Sequence, residues 1–225
     1  MEGTESEGFG NGVRKNTELV PYMYHYVVTA HEGGRVLMQP LEGKYHYMFG
    51  ESLLVAPIYQ DRLENEVKLP EGKWRYWFDD RQVIEGPITF EQEFSLEEYP
   101  VYIKEGAIVP MHIKRAYTGI GKPEDEGYLT FLIYPDLEES NFEVFREKDK
   151  STVLTYKNLG KNLTVEISGK QIPHILNIKS PNQPSKITLD GKHLIEETDY
   201  KYLTEIKKLR IKTSAYSNGQ YLIQF

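Results

Sequence analysis

The sequence predicts a mainly β fold: two antiparallel β-sandwich domains preceded by one α-helix. It contains seventeen Tyr, nine Phe and two Trp among many Thr, Ile and Val residues, and aromatic and β-branched side chains favour pleated, half-buried surfaces. Eighteen Gly and twelve Pro divide the chain into short segments. Many short apolar segments with turns every ~8–12 residues are typical of β-sandwiches.

The one segment with a helical pattern is Val20–Glu32. Pro21 suits a first helical turn, where its missing N–H is not needed, and Gly33-Gly34 is a stop signal. A helix that is apolar nearly all round is normally buried on more than one side. One face carries Leu19, Tyr22, Met23, Tyr26, Val27 and Ala30, and the opposite side carries Val20, Tyr24 and Val28.

After this helix the pattern predicts only strands. In Leu163–Ile167 every second residue is apolar, as a strand with one wet face requires, and Asp190-Gly191 is a hairpin signal. The expected strands are Arg35–Leu41, Ser52–Ile58, Glu66–Leu69, Trp74–Phe78, Ile88–Phe90, Val101–Lys104, Ala107–Val109, Tyr128–Tyr134, Phe142–Phe145, Thr152–Tyr156, Asn162–Ser168, His174–Lys179, Lys186–Leu189, Tyr200–Leu203, Leu209–Thr213 and Tyr221–Phe225.

Charge and glycine content predict a boundary in the middle of the chain. Residues 1–125 carry a formal net charge of −8 and residues 126–225 a net charge of +1. The change falls within the polar stretch KRAYTGIGKPEDEG, residues 114–127, which we interpret as a linker. The acidic, glycine-rich residues 1–12 are expected to be disordered, and they lack the apolar segment of an intact signal peptide.

Composition excludes several classes of function. No stretch approaches the ~18 consecutive apolar residues of a transmembrane helix. The net charge of −7, with no basic cluster, argues against nucleic acid and membrane as partners. With no cysteine, the chain has no disulfides, thiolate metal ligands or cysteine nucleophile.

The search for chemistry finds no catalytic, cofactor-binding or metal-binding residue. The nucleophile-elbow, phosphate-loop, H-E-x-x-H and EF-hand patterns are absent. The carboxylates of Asp79-Asp80 and Glu97-Glu98 are adjacent, so on a strand they point to opposite faces and cannot flank one substrate bond; in a turn they are solvated. The histidines are interpreted as structural: His25, His31, His46, His112, His174 and His193.

The aromatic segment KWRYWF has two interpretations. Trp74 and Trp77 can form an exposed platform that stacks on sugars, or the rings can be buried in the core. Large apolar residues are usually inside, which favours the core.

Four segments follow one another in the order of a known family. ELVPYMYHYVVTAHEGGRVLMQPL is similar to a LLPYLY-like helix followed by a strand ending in R-P-L. YMFGESLLVAPI is similar to G-D-S-L-L-V-A-P, VKLPEGKWRYWFDD to V-Y-L-P-x-G-x-W-Y-D-F-W, and YPVYIKEGAIVPM to I-P-V-F-V-R-x-G-x-I-I-P. Over Glu18–Met111 the chain therefore resembles glycoside hydrolase family 31, the α-glucosidase and α-xylosidase group. The resemblance is weaker over Tyr128–Phe225, and Gln39 replaces the arginine of R-P-L.

This resemblance implies a parent enzyme with a (β/α)8 barrel that carries a nucleophile Asp and an acid/base Asp. Retaining chemistry needs two carboxyl groups ~5–5.5 Å apart, and no position of this sequence matches either one. The expected organisation is therefore the end of the barrel with its helix at 13–50, a proximal β-sandwich at 51–118 and a distal β-sandwich at 119–225.

The resemblance implies a non-catalytic C-terminal fragment of a retaining α-glycosidase whose partner is the parent barrel. The alternative is a free-standing carbohydrate-binding or interaction β-module, and carbohydrate is a candidate ligand. Without a barrel, the apolar Val20–Glu32 segment is expected either to self-associate or to be locally disordered.

Overall fold

The structure is a computed structural model, and it describes residues 18–62, 64–95, 98–112, 125, 127–146, 150–170, 172–212 and 219–225. These residues form one α-helix, α1 (Val20–His31), and seventeen strands in three sheets. The predicted mainly β fold, with antiparallel sheets after one helix, is confirmed. The predicted tail at 1–12 lies outside the described residues.

The first sheet has six antiparallel strands in the order β1-β2-β3-β6-β4-β5. Its own core contains Val67, Leu69, Trp74 and Tyr102, which are buried on one face. The strands are β1 (Met38–Pro40), β2 (Tyr47–Phe49), β3 (Leu53–Val55), β4 (Glu64–Tyr76), β5 (Ile84–Glu93) and β6 (Val101–Lys104).

Two further sheets share a second core and form a β-sandwich. One has the order β15-β16-β12-β8-β7 and the other the order β14-β13-β17-β11-β10-β9. The strands are β7 (Ile108–Met111), β8 (Leu129–Ile133), β9 (Glu139–Arg146), β10 (Lys150–Asn158), β11 (Asn162–Gly169), β12 (His174–Lys179), β13 (Lys186–Leu189), β14 (Lys192–His193), β15 (Tyr200–Leu203), β16 (Lys208–Lys212) and β17 (Gly219–Gln224). Strands β8 and β12 pair in parallel, and the other paired strands of the sandwich are antiparallel.

Strand β4 corrects the prediction of two separate strands, Glu66–Leu69 and Trp74–Phe78. The Pro-Glu-Gly sequence between them forms a β-bulge and not a turn, because Leu69 pairs with Ile88 and Gly72 already pairs with Gly86. One extra residue is thus absorbed while the ladder continues. A side chain on Gly86 would collide with the carbonyl oxygen of Pro70, so glycine is required where the two backbones approach.

Other local predictions are confirmed. In β11 the apolar residues Leu163, Val165 and Ile167 are all buried. Asp190 and Gly191 have φ values of 51° and 79° and connect the hairpin of β13 and β14, as a type I′ turn requires. Strands β2 and β14 were not predicted.

Helix α1 ends one residue before the predicted Glu32. Its Tyr22 and Tyr26 are buried, whereas Tyr24 is 45% exposed and Val27 58% exposed. One side of the helix is therefore covered and another is not. Val27 lies on the same apolar stripe as Tyr22 and Tyr26 but is exposed, so the covered surface is narrower than the stripe. No helix among the described ranges has the length and apolar character needed to cross a membrane.

The predicted linker at 114–127 falls almost wholly outside the described residues. Strand β7, which precedes it, pairs with β8, which follows it. Strand pairing thus crosses the predicted boundary, and the division into domains at 51–118 and 119–225 stays a prediction.

Candidate functional site

Helix α1 packs on the β-sandwich through aromatic rings. The Tyr22 ring stacks on Phe142 of β9, with their centroids 5.5 Å apart. The His25 ring lies 4.4 Å from Phe142 and 5.5 Å from Phe145, and its Nδ1 donates to the carbonyl oxygen of Glu143 at 2.7 Å. We name this set the aromatic contact; it comprises Tyr22, His25, Tyr26, Phe142 and Phe145.

The tyrosine hydroxyls of α1 point to the first sheet. Tyr22 Oη donates to the carbonyl oxygen of Phe49 at 2.9 Å and accepts from the backbone N–H of Ser52 at 3.1 Å. Tyr26 Oη accepts from the N–H of Glu51 at 2.9 Å. Burial raises the pKa of Tyr22 well above its ordinary value, with a further contribution from neighbouring Tyr26. The helix is therefore attached to both β units.

Glycine is needed at the β2–β3 turn for this attachment. Gly50 has a φ of 64°, and a side chain there would collide with the Tyr22 hydroxyl and the Tyr26 ring. Only glycine combines a left-handed backbone with this close approach at little cost.

The second contact between distant segments centres on Asp80, between β4 and β5. Its carboxylate accepts from Lys179 Nζ at 2.7 Å, from Lys208 Nζ at 2.6 Å and from Tyr134 Oη at 2.7 Å. The side chains of Asp80 and Lys179 are 6% and 5% exposed. We name Asp80, Tyr134, Lys179 and Lys208 the aspartate cluster. It joins the first sheet to strands β12 and β16 of the sandwich.

Electrostatics keep the Asp80 carboxyl ionised. Burial by itself would raise the pKa of Asp80, but hydrogen bonds from Lys179, Lys208 and Tyr134 outweigh burial and lower it. The same burial lowers the pKa of Lys179, opposed by its bond to Asp80. Both carboxylate oxygens already accept from charged donors, so Asp80 is placed for holding segments together and not for attack on a substrate.

The expectation that Asp79 and Asp80 are both solvated is thus wrong for Asp80. Asp79 is exposed and pairs with Arg81, as expected of a turn carboxylate. Asp80 is buried because the turn after β4 packs against the sandwich. There Lys179 and Lys208, which are distant in the sequence, contact its carboxylate. Of the second pair, Glu97 lies outside the described residues, and Glu98 accepts from Tyr76 Oη at 2.8 Å.

The buried histidines have structural hydrogen bonds. His46 Nδ1 donates to the Lys44 carbonyl oxygen at 3.0 Å, and its Nε2 accepts from the Lys68 N–H at 3.1 Å. His174 Nδ1 donates to the Ile172 carbonyl oxygen, and its Nε2 accepts from Tyr221 Oη at 2.6 Å. Burial lowers the pKa of His174.

The remaining histidines do not form a site. His31 and His193 are exposed and His112 is half-buried. Over the part of the chain that the structure describes, no three His, Asp or Glu side chains group as metal ligands would.

The tryptophans of KWRYWF lie in or against hydrophobic cores. Trp74 is 1% exposed, and its Nε1 donates to the Pro70 carbonyl oxygen at 3.0 Å. Trp77 is half-buried and packs against the core of the sandwich. The core interpretation is confirmed, and Trp74 is not a sugar platform.

Comparisons with known proteins relate part of this fold to a known family. The sequence model described as the glycosyl hydrolase family 31 C-terminal domain matches residues 26–109. The matched range runs from the second half of α1 into β7. The match covers 84 of the 225 residues, and over this range the chain is similar to the C-terminal domain of that family.

Curated relatives agree. The chain is 26% identical over 218 residues to an isomaltosyltransferase of Sporosarcina globispora, covering 88% of this chain and 19% of the relative. It is 32% identical over 106 residues to an α-glucosidase of Saccharolobus solfataricus, covering 42% of this chain and 15% of the relative. The chain spans only 12–19% of the length of these and two further curated relatives.

Solved structures share the fold. A family 31 dextranase of Flavobacterium johnsoniae in complex with isomaltotriose superposes with a TM-score of 0.81 at 20% identity, over 95% of this chain and 32% of that one. A cycloalternan-forming enzyme of Listeria monocytogenes superposes with a TM-score of 0.83 at 23% identity, over 99% of this chain and 24% of that one. At these identities the likeness concerns the fold.

Proposed function

We propose that this chain is the non-catalytic C-terminal β region of a retaining α-glycosidase-type enzyme and that it packs against the catalytic barrel of its parent. The observation that carries the proposal is the family 31 C-terminal match over residues 26–109. Curated relatives with this region are five or more times longer than the stretch the chain covers. The parent's hydrolysis of O-glycosyl bonds is part of the proposal.

The environment of Asp79 and Asp80, the adjacent pair considered in the sequence, supports a non-catalytic role. Retaining hydrolysis needs a nucleophile and an acid/base carboxyl ~5–5.5 Å apart, both open to the substrate. Asp80 is occupied by two lysines and a tyrosine, and Asp79 is paired with Arg81 on the surface. Neither offers the free carboxylate that attack on a sugar requires.

The exposed side of α1 supports packing against a barrel. Tyr24 and Val27 are about half exposed although they belong to an otherwise apolar helix, and Val36 and Met38, just after it, are 52% and 56% exposed. Each large apolar side chain left in water forgoes about 1.5–3 kcal/mol of burial. A parent barrel covers this surface, and the isolated chain is expected to cover it by self-association.

An activity assay tests the catalytic part of the proposal. The purified chain is incubated with 4-nitrophenyl α-glucoside and 4-nitrophenyl α-xyloside, with a complete family 31 α-glucosidase as the positive control. No turnover above buffer is expected. Turnover that disappears on mutation of any Asp or Glu of this chain would overturn the proposal.

Light scattering tests the surface of α1. We expect concentration-dependent dimers of the chain, lost in Val27→Glu. The matched control is Leu159→Glu, since Leu159 is 67% exposed in the β10–β11 hairpin, far from α1 in sequence. If both variants behave as the parent chain does, or if the chain is strictly monomeric, the exposed side of α1 is not an association surface.

A further inference from the structure

Two exposed tyrosines lie side by side at one end of the first sheet. Tyr45 belongs to the β1–β2 loop and is 64% exposed, and Tyr59 follows β3 and is 36% exposed. Their ring centroids are 5.2 Å apart with an interplanar angle of 65°. Lys44 Nζ lies 4.9 Å from the centroid of the Tyr59 ring. We name Lys44, Tyr45 and Tyr59 the tyrosine platform.

The loop that carries Tyr45 is held in a fixed shape. Its ends are joined by a hydrogen bond from the Leu41 N–H to the His46 carbonyl oxygen at 2.9 Å. The buried His46 ring bonds both to the Lys44 carbonyl oxygen and to the Lys68 N–H of β4. The ring of Tyr45 is therefore displayed on a braced loop, which limits the ordering entropy that a bound ligand must offset.

Tyr45 adopts a backbone conformation that its side chain disfavours. Its φ is 64°, in the left-handed region that non-glycine residues other than Asn and Asp rarely occupy. Residues in such conformations persist only where the surrounding structure fixes them, and they occur preferentially at active and binding sites. Here the strained backbone points a large apolar ring into solvent, where it contributes little to the core.

We propose that the tyrosine platform binds a neutral oligosaccharide of hexopyranose units. The C–H face of a pyranose is apolar and flat, and it packs on an exposed aromatic ring as other apolar groups do. The two rings meet edge to face, so one pyranose unit packs on the more exposed Tyr45 ring while Tyr59 holds that ring in place from the side. The Lys44 ammonium supplies three donors for sugar hydroxyls.

Charge selects a neutral ligand. The loops at 41–46 and 56–62 carry Glu42, Lys44, Asp61 and Arg62, so their formal charges cancel. With Lys68, which pairs with Glu42 at 2.8 Å, the local formal charge is only +1. A polyanionic ligand would need an excess of cations at the surface, which these loops do not have. The inference is independent of the proposed function, because it needs neither a barrel nor a catalytic carboxyl.

Titration of the purified chain followed by NMR tests the inference. The neutral probes are maltoheptaose and cellohexaose, and the anionic probe is a hexamer of galacturonic acid. We expect saturable shifts of the tyrosine ring signals with at least one neutral probe and weaker binding of the anionic one.

Four variants assign the binding to the rings. Tyr45→Asn removes the ring but keeps a residue that tolerates the left-handed backbone, and we expect at least a tenfold loss of affinity. Tyr59→Ala should also lose at least fivefold. Tyr45→Phe keeps the ring and should bind within twofold of the parent chain. Tyr24→Ala, which removes an exposed tyrosine on α1, is the matched control and should not change binding.

Several results would overturn the inference: no binding of either neutral probe, tighter binding of the galacturonate, or unchanged affinity in Tyr45→Asn. Thermal melting of each variant keeps these outcomes interpretable. A melting temperature equal to that of the parent chain shows that a loss of affinity reflects the missing ring and not unfolding.

Discussion

The aromatic contact and the aspartate cluster both join segments that are distant in the sequence, but they use different forces. In the first, the rings of α1 pack on β9. In the second, a carboxylate after β4 meets lysines 99 and 128 residues further along the chain. The first can be anticipated from an apolar stripe, whereas the second gives no periodic signal. Contacts made by burial are thus visible in a sequence, and contacts made by single charges are not.

The two contacts also differ in what they contribute. Burial of rings is favourable with little dependence on direction, at about 25 cal/mol per Å² of apolar surface. A buried ion cluster gains little net energy, because removing the charges from water offsets most of their attraction. Its geometry is strict, however, and losing one partner leaves another charge buried. We infer that the aromatic contact supplies stability and the aspartate cluster fixes orientation.

The largest effect is expected from breaking the aspartate cluster. Asp80→Ala leaves Lys179 buried without its carboxylate, which should lower the free energy of unfolding by about 3–5 kcal/mol. Chemical denaturation measures this loss. The control is Asp79→Ala, whose exposed pair with Arg81 should be worth less than about 1 kcal/mol. Equal losses of unfolding free energy in the two variants would contradict the interpretation that Asp80 compensates a buried lysine charge.

Truncating the aromatic contact comes next. Phe142→Ala removes a ring that touches both Tyr22 and His25, and the cost should be about 3 kcal/mol, at the low end of the range for buried rings. Phe145→Ala, a half-buried neighbour on the same strand, should cost clearly less. The comparison would fail if Phe145→Ala were the more damaging change in denaturant unfolding.

A subtler change separates the ring of Tyr22 from its hydroxyl. Tyr22→Phe keeps the stacking on Phe142 but leaves the Phe49 carbonyl and the Ser52 N–H without their partner. The expected loss is about 1–2 kcal/mol, the cost of unsatisfied buried polar groups. Tyr24→Phe, in which the exposed hydroxyl is removed instead, should leave the melting curve unchanged; a shift as large as that of Tyr22→Phe would contradict this interpretation.

The smallest expected effect is the response of the two contacts to low pH, because only the aspartate cluster depends on an ionised carboxylate. The pKa of Asp80 is lower in the folded state, so its contribution is fully present above the unfolded-state pKa of about 3.9 and is lost as the pH falls towards the folded value. The gap in unfolding free energy between the parent chain and Asp80→Asn should narrow below about pH 4, by no more than about 1.4 kcal/mol per pH unit. If the difference in unfolding free energy between the parent chain and Asp80→Asn grew as the pH fell, the lowered pKa of Asp80 in the folded state would be contradicted.

The aromatic contact provides the control for this titration. The difference between the parent chain and Phe142→Ala is carried by an uncharged ring and should stay constant over the same pH range. A parallel narrowing in both variants would point to general acid unfolding and not to Asp80.

The local pattern predicted most of the strands and the helix because each depends on near neighbours. The alternation in Leu163–Ile167, the turn at Asp190-Gly191 and the end of α1 are set by sterics and burial within a few residues. The continuous β4 was missed because Pro-Glu-Gly suits a turn and a bulge equally well. The partner strand decides between them, by bringing Gly86 against Pro70.

The candidate site was less predictable for the same reason. Nothing near Asp80 in the sequence indicates that Lys179 and Lys208 will reach it. Nor does KYHYMFG reveal that Tyr45 is displayed while His46 is buried beneath it. The core role of Trp74 was anticipated, because large apolar side chains are usually inside.

The double attachment of α1 has a consequence for how the molecule unfolds. Its rings pack on the β-sandwich, and its hydroxyls bond to the turn between β2 and β3 of the first sheet. Loss of structure in either β unit therefore also removes contacts that hold the helix to the other unit. The aspartate cluster adds a second shared connection. The second core also includes Leu53 and Ile103 of the first sheet. We therefore expect unfolding to occur as a single cooperative transition, in which backbone amides of the two β units become exchangeable together.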